Sequence, residues 1–266
     1  MLDQYNRNIN YLRISVTDRC NLRCTYCMPE EGVDQLSHDD ILSFEEIVDI
    51  IKVAVKKGID KIRLTGGEPL VRSGIIDLVR MIKSVDGVKE LVMTTNGILL
   101  SKYAKELADA GLDRVNVSLD TTNTEKYYKL TRGGEIQKVF EGIQTAIQVG
   151  LNPVKLNCVV MSSSDEEDAR KVAEYANTMG LEVRYIHQMD LKTGKFSKVE
   201  GGDGGNCSSC NRIRLTANGC IKPCLFNSIG INVKQYGIEE AFEKAVICKP
   251  KSGTRSHSST FFGIGG

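Results

Sequence analysis

Net charge is the first thing this chain has little of. Its 35 Lys and Arg stand against 34 Asp and Glu, a formal +1. That balance argues against a general grip on nucleic acid, so any anion must be met by local basic clusters. Long apolar runs are missing too. None approaches the length of a membrane span, and Met1-Leu-Asp-Gln-Tyr-Asn does not read as a signal peptide. These absences set the expectation of a cytoplasmic protein with no membrane or nucleic-acid partner. Tryptophan is absent, and nothing follows from that. With 266 residues, 41% apolar and 26% charged, the chain has room for one large domain and a small appendage. Cysteine is what it has in quantity. Nine cysteines without a signal peptide read as metal ligands in a reducing compartment, not as a disulfide framework.

Strand-like and helix-like stretches alternate along the first 190 residues. Strand patterns fall at 10–16, 60–65, 90–95, 114–120, 154–160 and 181–186, with helical spacing at 44–57, 75–83, 100–110, 135–149 and 166–179. Ser43 is placed to cap the first helix and Gly58 to stop it. Six strands alternating with helices imply βαβ units and a parallel sheet, too few strands for a closed barrel of eight. The expected fold is α/β, a partial (β/α)6 TIM-type barrel over 1–190. A glycine-rich flexible linker at 191–206 is expected next, then a C-terminal region at 207–266 with a helix at 238–246. Polar and glycine punctuation falls at the C-terminal ends of the strands, where α/β folds place their ligands, so one site across the barrel mouth is expected.

The first cysteine group directly follows the first strand: Cys20-Asn-Leu-Arg-Cys24-Thr-Tyr26-Cys27, a Cys-x3-Cys-x2-Cys spacing. Thiolates this close together turn inward only on a loop wrapped round something. Iron–sulfur cubanes normally take four thiolates, so three leave one iron open, and an open position marks a catalytic metal site. A zinc site or core thiols are the alternatives. Gly66-Gly67-Glu68-Pro69 closes the second strand, and its glycines permit close backbone approach to a ligand.

These two stretches resemble the signatures of the radical S-adenosylmethionine (SAM) superfamily. The resemblance implies a 4Fe-4S cluster on Cys20, Cys24 and Cys27. SAM would sit on its open iron, and one electron would release a 5′-deoxyadenosyl radical that abstracts a substrate hydrogen. It also implies SAM contacts at Tyr26, Gly66, Gly67, Glu68, Thr94, Asn96, Ser118 and Met189. Caps, turns or core filling are the plain alternatives for several of these.

A second group runs Cys207-Ser-Ser-Cys210-Asn-Arg212-Ile-Arg214-Leu, continuing to Cys220 and Cys224. On spacing alone it suits either zinc, with Cys220 completing four thiolates, or a second iron–sulfur cluster. Cys207-x2-Cys210-x13-Cys224 around Asn-Arg-x-Arg-Leu resembles the GTP 3′,8-cyclase family of molybdenum-cofactor biosynthesis. That resemblance implies a second 4Fe-4S cluster on Cys207, Cys210 and Cys224 that receives the purine of GTP. Cys158, Cys220 and Cys248 are then structural. Basic residues on inner strands are rarely tolerated unless paired or bound to an anion. Arg13, Lys61, Arg63, Lys155, Arg184, Arg212 and Arg214 match family positions that hold GTP, and the terminal Gly265-Gly266 matches a tail that reaches the active site.

The resemblance further implies a radical SAM lyase (a cyclase) fed by an external one-electron donor. Its product would pass to the next enzyme of the pathway, and a homodimer is compatible with it. Two features depart from the pattern. The segment between Met189-Asp190 and Cys207, which the family uses to wall the substrate pocket, is short here, and His187-Gln188 replaces a Glu-aromatic pair. A rival reading keeps the radical chemistry with another substrate, such as a peptide. A second rival is a non-catalytic metal protein that binds a partner.

Overall fold

Apolar residues alternating with period two turn one face of each strand toward covering helices and the other toward a common interior. The computed structural model describes residues 1–256. In it the strands are β1 (Tyr11–Ser15), β2 (Lys61–Thr65), β3 (Glu90–Thr95), β4 (Arg114–Ser118), β5 (Lys155–Val160), β6 (Glu182–His187), β7 (Arg212–Leu215), β8 (Cys220–Lys222) and β9 (Ile231–Asn232). They form one sheet in the order β6-β5-β4-β3-β2-β1-β7-β8-β9. β1 to β6 are parallel to their neighbours, as a partial (β/α)6 barrel requires. The three C-terminal strands were not expected. β7 joins β1 in parallel, and β8 and β9 follow antiparallel. Their brevity, two to four residues each, leaves too little alternation for a sequence pattern to register.

The helices are α1 (Phe44–Lys56), α2 (Ile75–Lys83), α3 (Leu100–Asp109), α4 (Thr124–Thr131), α5 (Ile136–Gln148), α6 (Glu167–Thr178), α7 (Val233–Tyr236) and α8 (Ile238–Ile247). α1 begins in a full capping box: Ser43 accepts from the Glu46 amide, and the Glu46 carboxylate accepts from the Ser43 amide. Its apolar stripe, Ile47, Ile50, Ile51 and Ala54, is buried with Leu12, Ile14, Ile62 and Leu64 in the main core. α4, polar and short, was not expected. It starts on an Asn123 cap to the Lys126 amide. Among the described residues no helix is long and apolar enough to cross a membrane.

Register arranges the barrel interior in layers. Arg13 pairs with Arg63 on one side and with Arg214 on the other. One step toward the N-terminal ends lie Tyr11, Lys61 and Arg212, and one step toward the C-terminal ends lie Ser15 and Thr65. β7 runs parallel to β1, so Cys207 and Cys210, which precede it, sit at the N-terminal end of the barrel. Cys224 follows antiparallel β8 and reaches that same end. The first three cysteines follow β1 and sit at the opposite, C-terminal end.

Segment 191–206 lies against β6 and β7. Tyr185 and Glu200 exchange backbone hydrogen bonds, and Arg212 donates to the Asp203 carbonyl at 2.9 Å. Leu191, Leu225 and Phe226 make a small second core, with Phe196 stacked on Phe226 at 4.5 Å.

A buried ion pair fastens the N-terminus beneath the sheet. Arg7 Nε donates to Asp3 at 2.6 Å, with both side chains nearly inaccessible, and the guanidinium also donates to the carbonyls of Cys207, Pro250 and Lys251. Burial pushes the Asp3 carboxyl up, but hydrogen bonds from the Arg7 amide and guanidinium outweigh it and leave the carboxyl below its ordinary value. A carboxyl with a depressed folded pKa adds stability above its unfolded pKa, and that stability is lost as pH falls through the folded value. Arg7→Met is expected to cost ~3–5 kcal/mol near neutral pH by urea unfolding, because it strands a buried carboxylate. The gap to wild type should narrow below about pH 4. An unchanged gap at low pH would show that packing, not charge, carries the effect.

Candidate active site

Two cavities meet inside the barrel. The upper, about 220 Å3, lies at the C-terminal ends of the strands and is lined by Cys20, Cys24, Tyr26 and Cys27. Gly66, Gly67, Glu68, Thr94, Asn96, Ser118 and Met189 complete its wall, so every residue matched to SAM faces one space. The lower, about 250 Å3, runs through the basic layers to Cys207, Cys210 and Cys224. The cavities share Asn157, Ile186 and Met189. The site is therefore not confined to the barrel mouth, as strand-end punctuation alone led us to expect; it runs down the interior because β7 adds a third basic strand beside β1.

The upper loop is held by backbone contacts that only glycine permits. A Cβ at Gly66 would lie 2.6 Å from the Thr17 carbonyl oxygen, and one at Gly67 would lie 2.3 Å from that of Arg19. The glycines thus admit the cysteine loop itself at this distance. Gly67 and Glu68 donate their amides to Thr17 and Arg19. Glu68 is buried and fully engaged, accepting from the Leu70 amide at 3.0 Å, Thr95 Oγ1 at 2.8 Å and the Asn96 amide at 2.7 Å. It acts as an anchor joining the ends of β2 and β3. Tyr26 donates its hydroxyl to Asp120 at 2.7 Å, which ties the cysteine loop to the end of β4.

The chemistry of the thiols tests what they would hold. Burial pushes Cys27 up to about 12, helped by Cys20 and Asp120, and burial raises Cys24 further, with Cys27 and Asp120 adding to it. Burial also raises Cys20, despite the Leu22 amide donating to its sulfur. Three half-buried thiols whose electrostatic neighbours are one another and carboxylates are held as thiolates by a cationic centre. Yet among the described residues no three His, Cys, Asp or Glu side chains converge closely enough for one metal ion. Thiols that share a cavity without sharing a point fit a cluster, which spreads its ligands over several irons, better than tetrahedral zinc.

The lower set separates the two sequence readings. Cys220 stands at the opposite end of β8 from Cys224, where its sulfur accepts from Asn232, and it does not line the cavity. Cys207, Cys210 and Cys224 do line it. Burial raises Cys210, but Lys249, whose ammonium is 3.4 Å from its sulfur, and the amide and charge of Arg212 together outweigh this and leave the thiol below its ordinary value.

Eight Lys and Arg side chains line the lower cavity against one carboxylate, Asp203. Arg13, Lys61, Arg63, Arg184, Arg212 and Arg214 are all there. Lys155 is not; it pairs with Glu182 at the rim. Burial pulls Arg13 well below its ordinary value, with Arg214 adding to it, and burial with Arg212 holds Arg214 down to about 10. Guanidinium does not deprotonate in proteins, so these directions reflect first the burial of the two groups and then the like charges beside them. Arg63 donates to Thr94 at 3.0 Å, linking the two cavities, while its Nε and that of Arg184 are buried with no hydrogen-bond partner among the described residues.

More than four lining residues escaped the sequence reading. Tyr11, Arg114, Asn116 and Asn157 share the period-two face of the basic residues, and that alternation was the available signal. Lys249 follows α8 with no periodicity to mark it. Phe196, Val199 and Gly202 to Gly205 bring segment 191–206 into the wall. A Cβ at Gly205 would fall 2.0 Å from the Ser197 carbonyl, and one at Gly201 2.6 Å from that of Val183, so these glycines let the segment fold flat on itself and on β6. Gly265 and Gly266 lie outside the described residues.

Strand order and paired cysteine cavities define a radical SAM protein, and the radical SAM superfamily profile matches residues 14–176. The chain is 39% identical to the GTP 3′,8-cyclase of Alkaliphilus oremlandii across 99% of its own length and 98% of the relative's. It is 42% identical to that of Peptoclostridium acidaminophilum across 88% and 85%. It belongs to the GTP 3′,8-cyclase family. The first alignment spans 315 positions, more than the chain's 266 residues, so that relative carries stretches this chain omits. Among solved structures, anSMEcpe with bound AdoMet superposes with TM-score 0.67 at 17% identity, covering 91% of this chain and 80% of that one. Streptococcus suis SuiB bound to precursor peptide SuiA gives 0.68 at 16%, covering 93% and 66%. At such identities the likeness concerns the fold.

Replacing Glu68 by Gln substitutes a donor for one of two acceptor oxygens. The variant should lose ~1–3 kcal/mol through an unpaired buried amide. Burial pushes the Glu68 carboxyl up to about 7 against the three donors that oppose it. A carboxyl with a raised folded pKa binds its proton more tightly when folded, so its contribution falls as pH rises from about 4.3 toward that value. Urea midpoints at pH 5 and 7.5 should show this loss in wild type and a smaller one in the Gln variant. Equal slopes would remove Glu68 as the titrating group.

Proposed function

We propose that this chain is a radical SAM GTP 3′,8-cyclase, converting GTP to (8S)-3′,8-cyclo-7,8-dihydroguanosine 5′-triphosphate in molybdenum-cofactor biosynthesis. The observation that carries the reading is two cysteine triads at opposite ends of one barrel interior with layers of arginine between them, in a chain close to 40% identical to curated cyclases along almost its whole length. When bound, a 4Fe-4S cluster and SAM at the upper cavity supply the radical that takes a substrate hydrogen.

The chain's own residues do the rest. Cys20, Cys24 and Cys27 would hold the upper cluster. The Gly66–Glu68 loop, Thr94, Asn96 and Ser118 would orient SAM, with Tyr26 and Met189 packing beside it. Arg13, Lys61, Arg63, Arg184, Arg212 and Arg214 would neutralise the triphosphate in the lower cavity. Lys155 would contribute only by leaving Glu182. Cys207, Cys210 and Cys224 would hold the second cluster at the far end, so that GTP spans the interior with its base there and its ribose toward SAM. Segment 191–206 closes the side of the lower cavity, a water-excluding role that radical chemistry needs. The organisation into barrel (1–190), connecting segment (191–206) and auxiliary-cluster region (207–266) belongs to this proposal. An external one-electron donor, a cytoplasmic setting, hand-off to a later enzyme and a homodimer belong to it as well.

Anaerobically reconstituted protein given SAM, a reductant and GTP should form both 5′-deoxyadenosine and the cyclised nucleotide. Deoxyadenosine without cyclised nucleotide would sink the GTP assignment and keep the radical half. In the same preparation, Arg184→Ala should weaken GTP binding by about 10- to 100-fold, the worth of one charge-assisted contact. SAM affinity should stay within about twofold of wild type. Equal losses for both ligands in calorimetry would place Arg184 outside the GTP contacts.

A further inference from the structure

The stretch that follows α8 passes directly over the lower cysteines. Lys249 is 1% exposed, and its ammonium donates to Cys210 Sγ at 3.4 Å, the Arg212 carbonyl at 2.7 Å and the Pro223 carbonyl at 2.8 Å. All three of its N–H groups are thereby engaged. Three residues on, Ser252 donates its hydroxyl to Cys207 Sγ at 3.5 Å. Gly253 then lies so close to Cys224 that a Cβ there would be 3.4 Å from the sulfur and 2.7 Å from Phe226. The strap is fastened beyond this point by Thr254 to the Phe226 carbonyl and Ser256 to the Leu191 carbonyl. One short segment therefore touches each of the three sulfurs.

Burying an ammonium is costly in any protein, and this one lies near a cavity already crowded with guanidinium groups. A neutral donor would have satisfied the two carbonyls. The added positive charge is favourable only opposite anionic sulfur. Cationic donors to cluster thiolates favour the form with one more electron, and such outer contacts orient the ligands and tune the centre.

We infer that Lys249, assisted by Ser252, is a positioning residue of the auxiliary centre, holding Cys210 and Cys207 by hydrogen bonds and raising that centre's reduction potential. The inference rests on the reading of Cys207, Cys210 and Cys224 as ligands of the second cluster. Its test uses the full chain carrying Cys20→Ala, Cys24→Ala and Cys27→Ala, so that the auxiliary centre is the one observed. Iron content and the midpoint potential, followed by electron paramagnetic resonance, are measured after anaerobic reconstitution. In this background Lys249→Met should shift the potential negative, Lys249→Arg should recover at least half of that shift, and Ser252→Ala should give a smaller shift of the same sign.

An unchanged potential in Lys249→Met with iron retained would overturn the inference and leave the cluster assignment standing. Should the Met variant lose its iron, Lys249→Arg decides. Retention by Arg supports the role of charge. Loss by both, with equal drops in thermal stability, reduces Lys249 to a clamp on two carbonyls and overturns it. No iron in the Lys249 parent would overturn the cluster assignment itself, and this inference with it.

Discussion

Repulsion among Arg13, Arg63 and Arg214 is the constraint around which the rest of this structure is arranged. Strand register puts the three side by side on neighbouring strands, facing one interior, with Arg63 and Arg214 buried and Arg13 half-buried. Guanidinium groups in such a place stay charged, so they must be offset from outside the layer. Below it Glu90 takes Lys61 and Arg114, leaving Tyr11 under the field of Arg63, Arg13, Arg212 and Lys61, which outweighs the effect of its burial. Above it, Arg63 reaches only the neutral Thr94. Among the described residues one carboxylate, Asp203, lines the lower cavity beside these guanidinium groups.

The two cysteine sets follow from the same register. A strand added parallel to β1 carries its preceding loop to the N-terminal end of the barrel, so Cys207 and Cys210 land as far from Cys20 as the strand length allows. The hairpin to β8 then brings Cys224 back to that end and leaves Cys220 at the other. The three residues of β8 thus set Cys224 in the cavity wall and leave Cys220 outside it.

Much of this was legible in the sequence where a repeating physical signal ran long enough. α2 and β3 fall at the bounds their periodicity implies, and the Ser43 cap sits where the capping pattern put it. The cysteine loop of the upper cavity was legible from its spacing, while Thr94, Asn96, Ser118 and Met189 in its wall came from the family resemblance alone. What escaped notice lacked either length or period. β7 to β9 are short, α4 is polar on most of its surface, and Lys249 follows a helix end. Arg114 lies on the inner face beside Asn116, and its pairing with Glu90 shows only in the fold, where register sets the two strands side by side.

Segment 191–206 shows why composition misleads at such places. Its glycines read as slack, since glycine adds backbone freedom to an unfolded chain. In the fold they are what lets the segment lie flat: Gly201 against the Val183 carbonyl, Gly205 against that of Ser197, and Gly194 against that of Thr254, each too close for any Cβ. Phe196 then inserts beside Phe226, and Arg184 packs its aliphatic stem on Gly202. A wall only one chain thick can stand beside a charged cavity because the barrel supplies rigidity on one side and the Leu191–Phe226 core supplies it on the other. Its backbone meets β6 where Glu200 pairs with Tyr185, meets the Arg212 side chain of β7 at Asp203, and closes on itself where Val199 donates to Gly204.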